Sequence, residues 1–310
     1  MPQLTGPQTG IPQSDLFVGS LDIVDLTADT ADSGILSATV NALGGDDTIE
    51  GRVNFAPVVG DLNLSATGIS QSTIDAGSGN DTISGMGTGA GFFEGFSLRG
   101  PEYSGTGIGV GLFQGFVRGR SGNDVMTFSG VGKEGRTLEG TGVSNTTVEG
   151  NTGADQISIT GTASGNNVNG VSGTAIGSLS ATVSGGSQQD TISIRATANV
   201  GGFSGPFIST VQGVAQSTVR GDGDDDSISI SAAGRGSGTT VAAVAQSQVR
   251  GGSGNDSLTI LSDSISVGPR GSLNSTGSGV GVAQDSTVHG GSGNDVIAIC
   301  DCHYCSRICG

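Results

Sequence analysis

Eight times along its 310 residues the chain writes a glycine-rich turn that ends in aspartate and runs into alternating apolar residues, as in GGSGNDSLTI at 251–260. The terminal aspartates are Asp47, Asp81, Asp124, Asp155, Asp190, Asp226, Asp256 and Asp295, with a mean spacing of about 35 residues. A fixed period of that length marks a repeat architecture, in which each unit buries its apolar face only against its neighbours.

Alignment on the aspartate, taken as position 0, tests whether the repeat is geometric. Seven residues before it stand Val40, Ile74, Val117, Val148, Val183, Val219, Val249 and Val288; two after it stand Ile49, Ile83, Met126, Ile157, Ile192, Ile228, Leu258 and Ile297. Position +4 is apolar in the last six repeats, while +1 and +3 are mostly Ser or Thr, so a short strand with one buried face follows the turn. Apolar residues at −12 in six repeats and Thr at −8 in six place further strands before it. Between them, position −10 holds Gln71, Gln114, Gln216 and Gln246, which suit either an amide ladder or a solvated bend.

The pattern predicts an all-β, single-stranded parallel β-helix (β-solenoid) of about eight coils with roughly three short strands per coil. Residues 1–34 are expected to form an N-terminal arm and cap, 35–299 the repeat domain, and 300–310 a cysteine-rich tail. The intervals between aspartates run from 30 to 43 residues, and a connector of variable length is expected to absorb the difference.

Composition agrees with a thin solenoid better than with a globular core: 59 glycines, no tryptophan and 4% aromatic residues. The net charge of −16 argues against a nucleic-acid partner. Low aromatic content with high charge also describes disordered chains, but strict apolar register argues against that here. No apolar run approaches a membrane span, and the N-terminus MPQLTGPQTGIPQSDLF carries no visible secretory leader.

GGSGND at 251–256 and 290–295, AGSGND at 76–81 and GDGDDD at 221–226 resemble the nonapeptide GGxGxDxUx of RTX, or haemolysin-type, calcium-binding repeats. The resemblance implies Ca2+ held between stacked turns by the eight terminal aspartates, with Gly79, Gly254 and Gly293 permitting close carbonyl approach and Asp222 and Asp224 adding charge. One turn per coil, instead of direct tandem repeats, leaves a single ion column of at most seven sandwiched sites. GNTGAD at 150–155 and GGSQQD at 185–190 depart furthest from the pattern. Gly, Asn and Asp also build tight corners without metal, and bare turns are the competing reading.

Three other features stand apart from the repeat. Five of the ten phenylalanines (Phe92, Phe93, Phe96, Phe113, Phe116) fall in the longest excursion, as an exposed patch or as a segment folded back on the coil. Arg220-Gly221-Asp222 spells an adhesion-like tripeptide, read here as a coincidence of the repeat. Cys300, Cys302, Cys305 and Cys309 crowd the last eleven residues after a cysteine-free body, suiting disulfides, links between copies, or soft-metal ligation.

One lysine, two histidines and two tyrosines, none near paired carboxylates outside the turns, argue against an enzyme. The expected function is a calcium-binding extracellular or cell-surface solenoid with a structural, filament-forming or adhesive role. Its expected partners are calcium, other copies of itself or a surface polysaccharide. The alternatives are a polysaccharide-active β-helix enzyme and an ice- or surface-binding protein using Ser/Thr columns.

Overall fold

The computed structural model describes residues 3–23, 30–55, 63–97, 100–166, 170–201, 207–266, 278–283 and 285–302. Among them there is no helix. The chain opens with strands β1 (Leu4–Thr9), β2 (Leu16–Ile23), β3 (Thr30–Asn41) and β4 (Thr48–Phe55). Three-strand coils follow: β5 (Asn63–Ser70), β6 (Thr73–Ser78) and β7 (Thr82–Ala90), then a β8 (Phe92–Ser97) and β9 (Gly100–Ser104) hairpin. The next coils are β10 (Thr106–Phe113), β11 (Phe116–Ser121), β12 (Val125–Lys133), and β13 (Thr137–Ser144), β14 (Thr147–Thr152), β15 (Gln156–Asn166). After them come β16 (Val171–Leu179), β17 (Thr182–Ser187), β18 (Thr191–Gly201), and β19 (Phe207–Ala215), β20 (Thr218–Gly223), β21 (Ser227–Gly236). The last two coils are β22 (Gly238–Ala245), β23 (Gln248–Ser253), β24 (Ser257–Ser266), and β25 (Ser278–Val282), β26 (Thr287–Ser292), β27 (Val296–Cys302).

Among the described residues every coil-to-coil pairing is parallel, and only the β8–β9 hairpin is antiparallel. First and second strands of the coils share a 16-stranded sheet, joined because β3 runs through both, and third strands form a nine-stranded sheet. This is the expected parallel β-solenoid, about seven three-strand turns, with a shorter N-terminal portion in which β1 pairs with β3 and β2 with β4. The apolar columns are its core. Val148, Val183 and Val219 face one another in register, as do Ile157, Ile192 and Ile228, and all are buried. Each fully buried side chain of this kind stabilises the stack by roughly 1.5–3 kcal/mol.

The strands are longer than alternation of large residues suggested. Third strands run on past +4, and their inward positions +6 and +8 are Gly130 and Gly132, Gly161 and Ala163, Ala196 and Ala198. Across the coil, position −13 is glycine in Gly34, Gly68, Gly111, Gly142, Gly177 and Gly213. A Cβ on Gly130 would stand 2.0 Å from the Thr141 carbonyl oxygen, and one on Gly161 2.0 Å from that of Ile176. The first and third strands therefore approach almost to backbone contact, and much of what reads as connector is paired sheet. A coil pinched in this way has little room for aromatic side chains, which accounts for the composition.

Bend position −10 is left-handed in every coil, with φ between 48° and 60° from Ser37 to Asp285. The glutamine amides at this bend form an exposed ladder: Gln71 Nε2 donates to Gln114 Oε1 at 3.4 Å and Gln216 Nε2 to Gln246 Oε1 at 3.3 Å. The next residue inward makes a buried hydroxyl ladder, in which Ser72, Ser217 and Ser247 each bond a backbone carbonyl two residues back. The phenylalanines 92, 93 and 96 lie on β8, and their side chains are outside the described residues; Phe116 is half-buried, with the Arg118 guanidinium 4.0 Å from its ring centre.

Candidate metal centre

The turn joining second and third strands holds two left-handed residues, at −4 and −2. In the fourth turn these are Asn151 (φ 78°) and Gly153 (φ 134°), and in the seventh Gly252 (φ 131°) and Gly254 (φ 135°). At −2 the glycines also let turns stack closely. A Cβ on Gly79, Gly254 or Gly293 would stand 2.1, 2.3 or 1.8 Å from the carbonyl oxygen of Gly45, Asp224 or Gly254 in the coil before. Gln188 and Asp224 take the same position with φ 80° and 71°, a conformation that Asp reaches more readily than most residues.

Two side-chain ladders run beside this column, with opposite polarity. Each terminal aspartate accepts a hydrogen bond at Oδ1 from the backbone N–H of the aspartate one coil earlier: Asp47 to Asp81, Asp81 to Asp124, Asp124 to Asp155 and Asp155 to Asp190, each at 2.8 Å. The series continues through Asp190, Asp226, Asp256 and Asp295. It also begins one coil earlier than the motif suggests, because Asp15 N–H donates to Asp47 at 2.6 Å. At −1 the direction reverses: Asn80 N–H donates back to Asp46, Asn123 to Asn80, Ala154 to Asn123, Asn255 to Asp225 and Asn294 to Asn255. Asparagine before the aspartate thus serves as a stacking acceptor. Ala154 has no side-chain oxygen to offer the next coil, so the turn that departs from the motif also breaks this ladder.

The second oxygen of the main ladder is the chemically unusual atom. In Asp47, Asp81, Asp124, Asp155, Asp190, Asp226 and Asp256, Oδ2 is buried and has no hydrogen-bond partner. It lies against the residue at −5, which is glycine in six turns and Ala42 or Ala76 in two: a Cβ on Gly150 would stand 2.2 Å from Asp155 Oδ2. Burial pushes Asp81, Asp124 and Asp155 up to about 6 and Asp190 and Asp226 up to about 7, opposed only in part by the donated N–H. Neighbouring carboxylates push Asp81, Asp190 and Asp226 the same way, and Asp47 and Asp256 are also raised by burial. A buried, unpartnered carboxylate oxygen calls for a positive partner, either a proton or a cation.

That orphaned oxygen fits the residues to calcium, a hard cation that takes oxygen ligands. Among the described residues no three or more His, Cys, Asp or Glu side chains converge, so the shell would be completed by turn carbonyls. Asp222 and Asp224 do not join Asp226 inside: both are exposed, Asp222 accepting from Ser184 Oγ and Asp224 from Gln188 N–H. The Gly221 of the adhesion-like tripeptide is buried within β20, not displayed on a loop tip. Asp15 and the small −5 column were missed from sequence. IPQSD lacks the glycines that mark the other turns, while the −5 column was legible as an unbroken run of Gly and Ala.

Cys300, at the end of the last strand, is buried and disulfide-bonded. Cys305 and Cys309 lie outside the described residues, as does the side chain of Cys302.

A family model described as RTX calcium-binding nonapeptide repeat (4 copies) matches residues 71–87 and 280–298. No curated protein and no solved structure matches the chain significantly. The two matched segments span the turns of Asp81 and Asp295 with the bends and strands beside them. Calcium is the ion this repeat family implies, and the nonapeptide matches together with the parallel β-solenoid fit an RTX-type calcium-binding repeat protein.

Proposed function

We propose that the chain is an extracellular or cell-surface solenoid whose stacked turns bind calcium in a single column, and that its role is structural, filament-forming or adhesive rather than enzymatic. The observation that carries this reading is the buried column of seven unpartnered Asp Oδ2 atoms. Asp47, Asp81, Asp124, Asp155, Asp190, Asp226, Asp256 and Asp295 supply the charge, with Gly79, Gly254 and Gly293 bringing successive turns close and Asp222 and Asp224 adding negative potential beside Asp226.

The disulfide at Cys300 supports an oxidising compartment, and RTX-type repeat proteins are typically secreted. The remaining cysteines, Cys302, Cys305 and Cys309, serve in this reading as further disulfides or as links between copies. Exposed Ile297 and Ile299 on the last coil support association with a second copy there. Ice or surface binding through the +1 hydroxyls is less well supported, because exposed Val125 and Val296 interrupt that column.

The deciding experiment is isothermal titration of the full chain with calcium, paired with thermal melts in calcium and in chelator. Several bound ions per chain and a higher melting temperature in calcium are expected; no heat and superimposable melts would refute the metal column.

A further inference from the structure

We propose a second binding site, for an acidic polysaccharide, in the pocket formed by Arg220, Arg250 and His289 on consecutive second strands. The three side chains lie in register, Arg220 opposite Arg250 and Arg250 opposite His289, and all three are exposed. Like charges directly opposite each other across a strand pair destabilise a sheet, so two adjacent arginines carry a cost that the repeat does not require. Equivalent positions in other coils hold Asn41, Asp75, Arg118, Glu149 and Ser184, and there the one arginine stands between two acids.

The contrast with the other arginines on this face is informative. Arg118 is paired with Glu149 at 3.1 Å and Arg120 with Asp75. Arg220 and Arg250 form no ion pair among the described residues; Arg250 donates only to Gln248 Oε1 at 3.1 Å. In a chain of net charge −16 with 12 basic residues, two stacked arginines left for an outside anion are a concentrated exception. Gly252 and Gly291 lie beside them at −4, where Leu43, Arg120 and Asn151 carry side chains in three other coils, and the pocket there has a volume of about 510 Å3.

The spacing defines the ligand. Parallel strands stand about 4.8 Å apart, so the three groups form a row about 10 Å long, too long for one carboxylate or phosphate but matched to a chain bearing a negative group at each step. Asp222 shares the pocket and would repel a ligand made of anions alone. Its carboxylate is suited to accept from hydroxyl groups, which a uronic-acid or sulfated sugar chain carries beside its charges. The site deepens the adhesive part of the proposed function and uses the calcium-ordered stack only as a scaffold.

The test is binding of the full chain, in calcium, to immobilised polygalacturonate (a carboxylate on every sugar), dextran sulfate (sulfated), dextran (neutral) and poly-aspartate. Binding to one or both acidic glycans, weakening with salt, and none to dextran are expected; the two arms identify which acid is recognised. Arg220→Gln with Arg250→Gln should weaken binding by at least about tenfold, because charge-assisted hydrogen bonds are lost, while Arg195→Gln on the opposite sheet leaves it unchanged. Unchanged β-sheet circular dichroism and calcium titration of the double variant separate loss of the site from loss of the stack. Equal binding by variant and wild type, no preference over dextran, or poly-aspartate binding as tightly as the glycans would overturn the proposal.

Discussion

Replacing Asp155 by Asn isolates the charge of one buried carboxylate while retaining its shape. The Asn Oδ1 can still accept from the Asp124 N–H, whose present bond is 2.8 Å. Burial raises Asp155 from 3.8 to about 6, and at about 1.4 kcal/mol per pKa unit, ionising it inside a calcium-free stack costs about 3 kcal/mol relative to the unfolded chain. The folded state binds the extra proton between the two pKa values, so this stability is present near pH 4 and is lost as pH rises through 6. The variant carries no such loss. It does bury an amide NH2 against Gly150 in place of the orphaned oxygen, at a cost of about 1–3 kcal/mol.

In chelator, Asp155→Asn is therefore expected to be the less stable protein at pH 4. The difference should shift in its favour by about 2–3 kcal/mol on going to pH 8. In saturating calcium at pH 8 the wild type is expected to be the more stable of the two, since it retains a negative ligand that the variant lacks. Urea denaturation followed by circular dichroism at pH 4, 6 and 8, with calcium and with chelator, measures all three differences. Parallel stability profiles for the two proteins across this range would refute the claim that Asp155 is a strained, ionisable group awaiting a cation.

The remaining expectations concern the wild type and three single sites. For the wild type, the stabilisation by calcium should be larger at pH 8 than at pH 5, because protons compete for the same oxygens; equal melting shifts at both values would count against it. Gly150→Ala drives a methyl to within 2.2 Å of Asp155 Oδ2 and 2.3 Å of the Gly185 carbonyl oxygen, and should cost about 1–3 kcal/mol in denaturant titration. Ile194→Ala removes a buried side chain from the +4 column and should cost about 2–5 kcal/mol. At the left-handed bend, Gln216→Gly should be neutral or stabilising and Gln216→Val destabilising by about 1 kcal/mol or more, as φ is 50° there.

The solenoid and its core columns were legible because β-branched residues recur at −7 and large aliphatic residues at +2, at fixed distance from an unmistakable turn. The extent of each strand was not, since Gly130, Gly132 and Gly161 pack by having no side chain, and glycine in a strand reads as a break until the facing backbone is known. The aspartate column was legible as acidic residues at turns, which suggested ligands to ions held between stacked turns. Its hydrogen-bonded role was hidden because it depends on which oxygen meets the N–H of another coil, a relation of stacking that no local pattern encodes. Asp15 shows the same limit: without flanking glycines, only its position above Asp47 identifies it.

The opposed directions of the two turn ladders make the ends of the stack chemically unlike. At any point in synthesis from the N-terminus, the newest complete coil presents an aspartate N–H with nothing yet to bond, and the arriving coil brings the carboxylate that accepts it. Each incoming charge thus meets a waiting donor, and the asparagine step beside it works in the other sense, the arriving N–H finding an oxygen already in place. Each edge thus offers the complement of the coil that follows it, whereas two C-terminal edges brought together would set aspartate N–H against aspartate N–H, so copies could extend the ladders only head to tail.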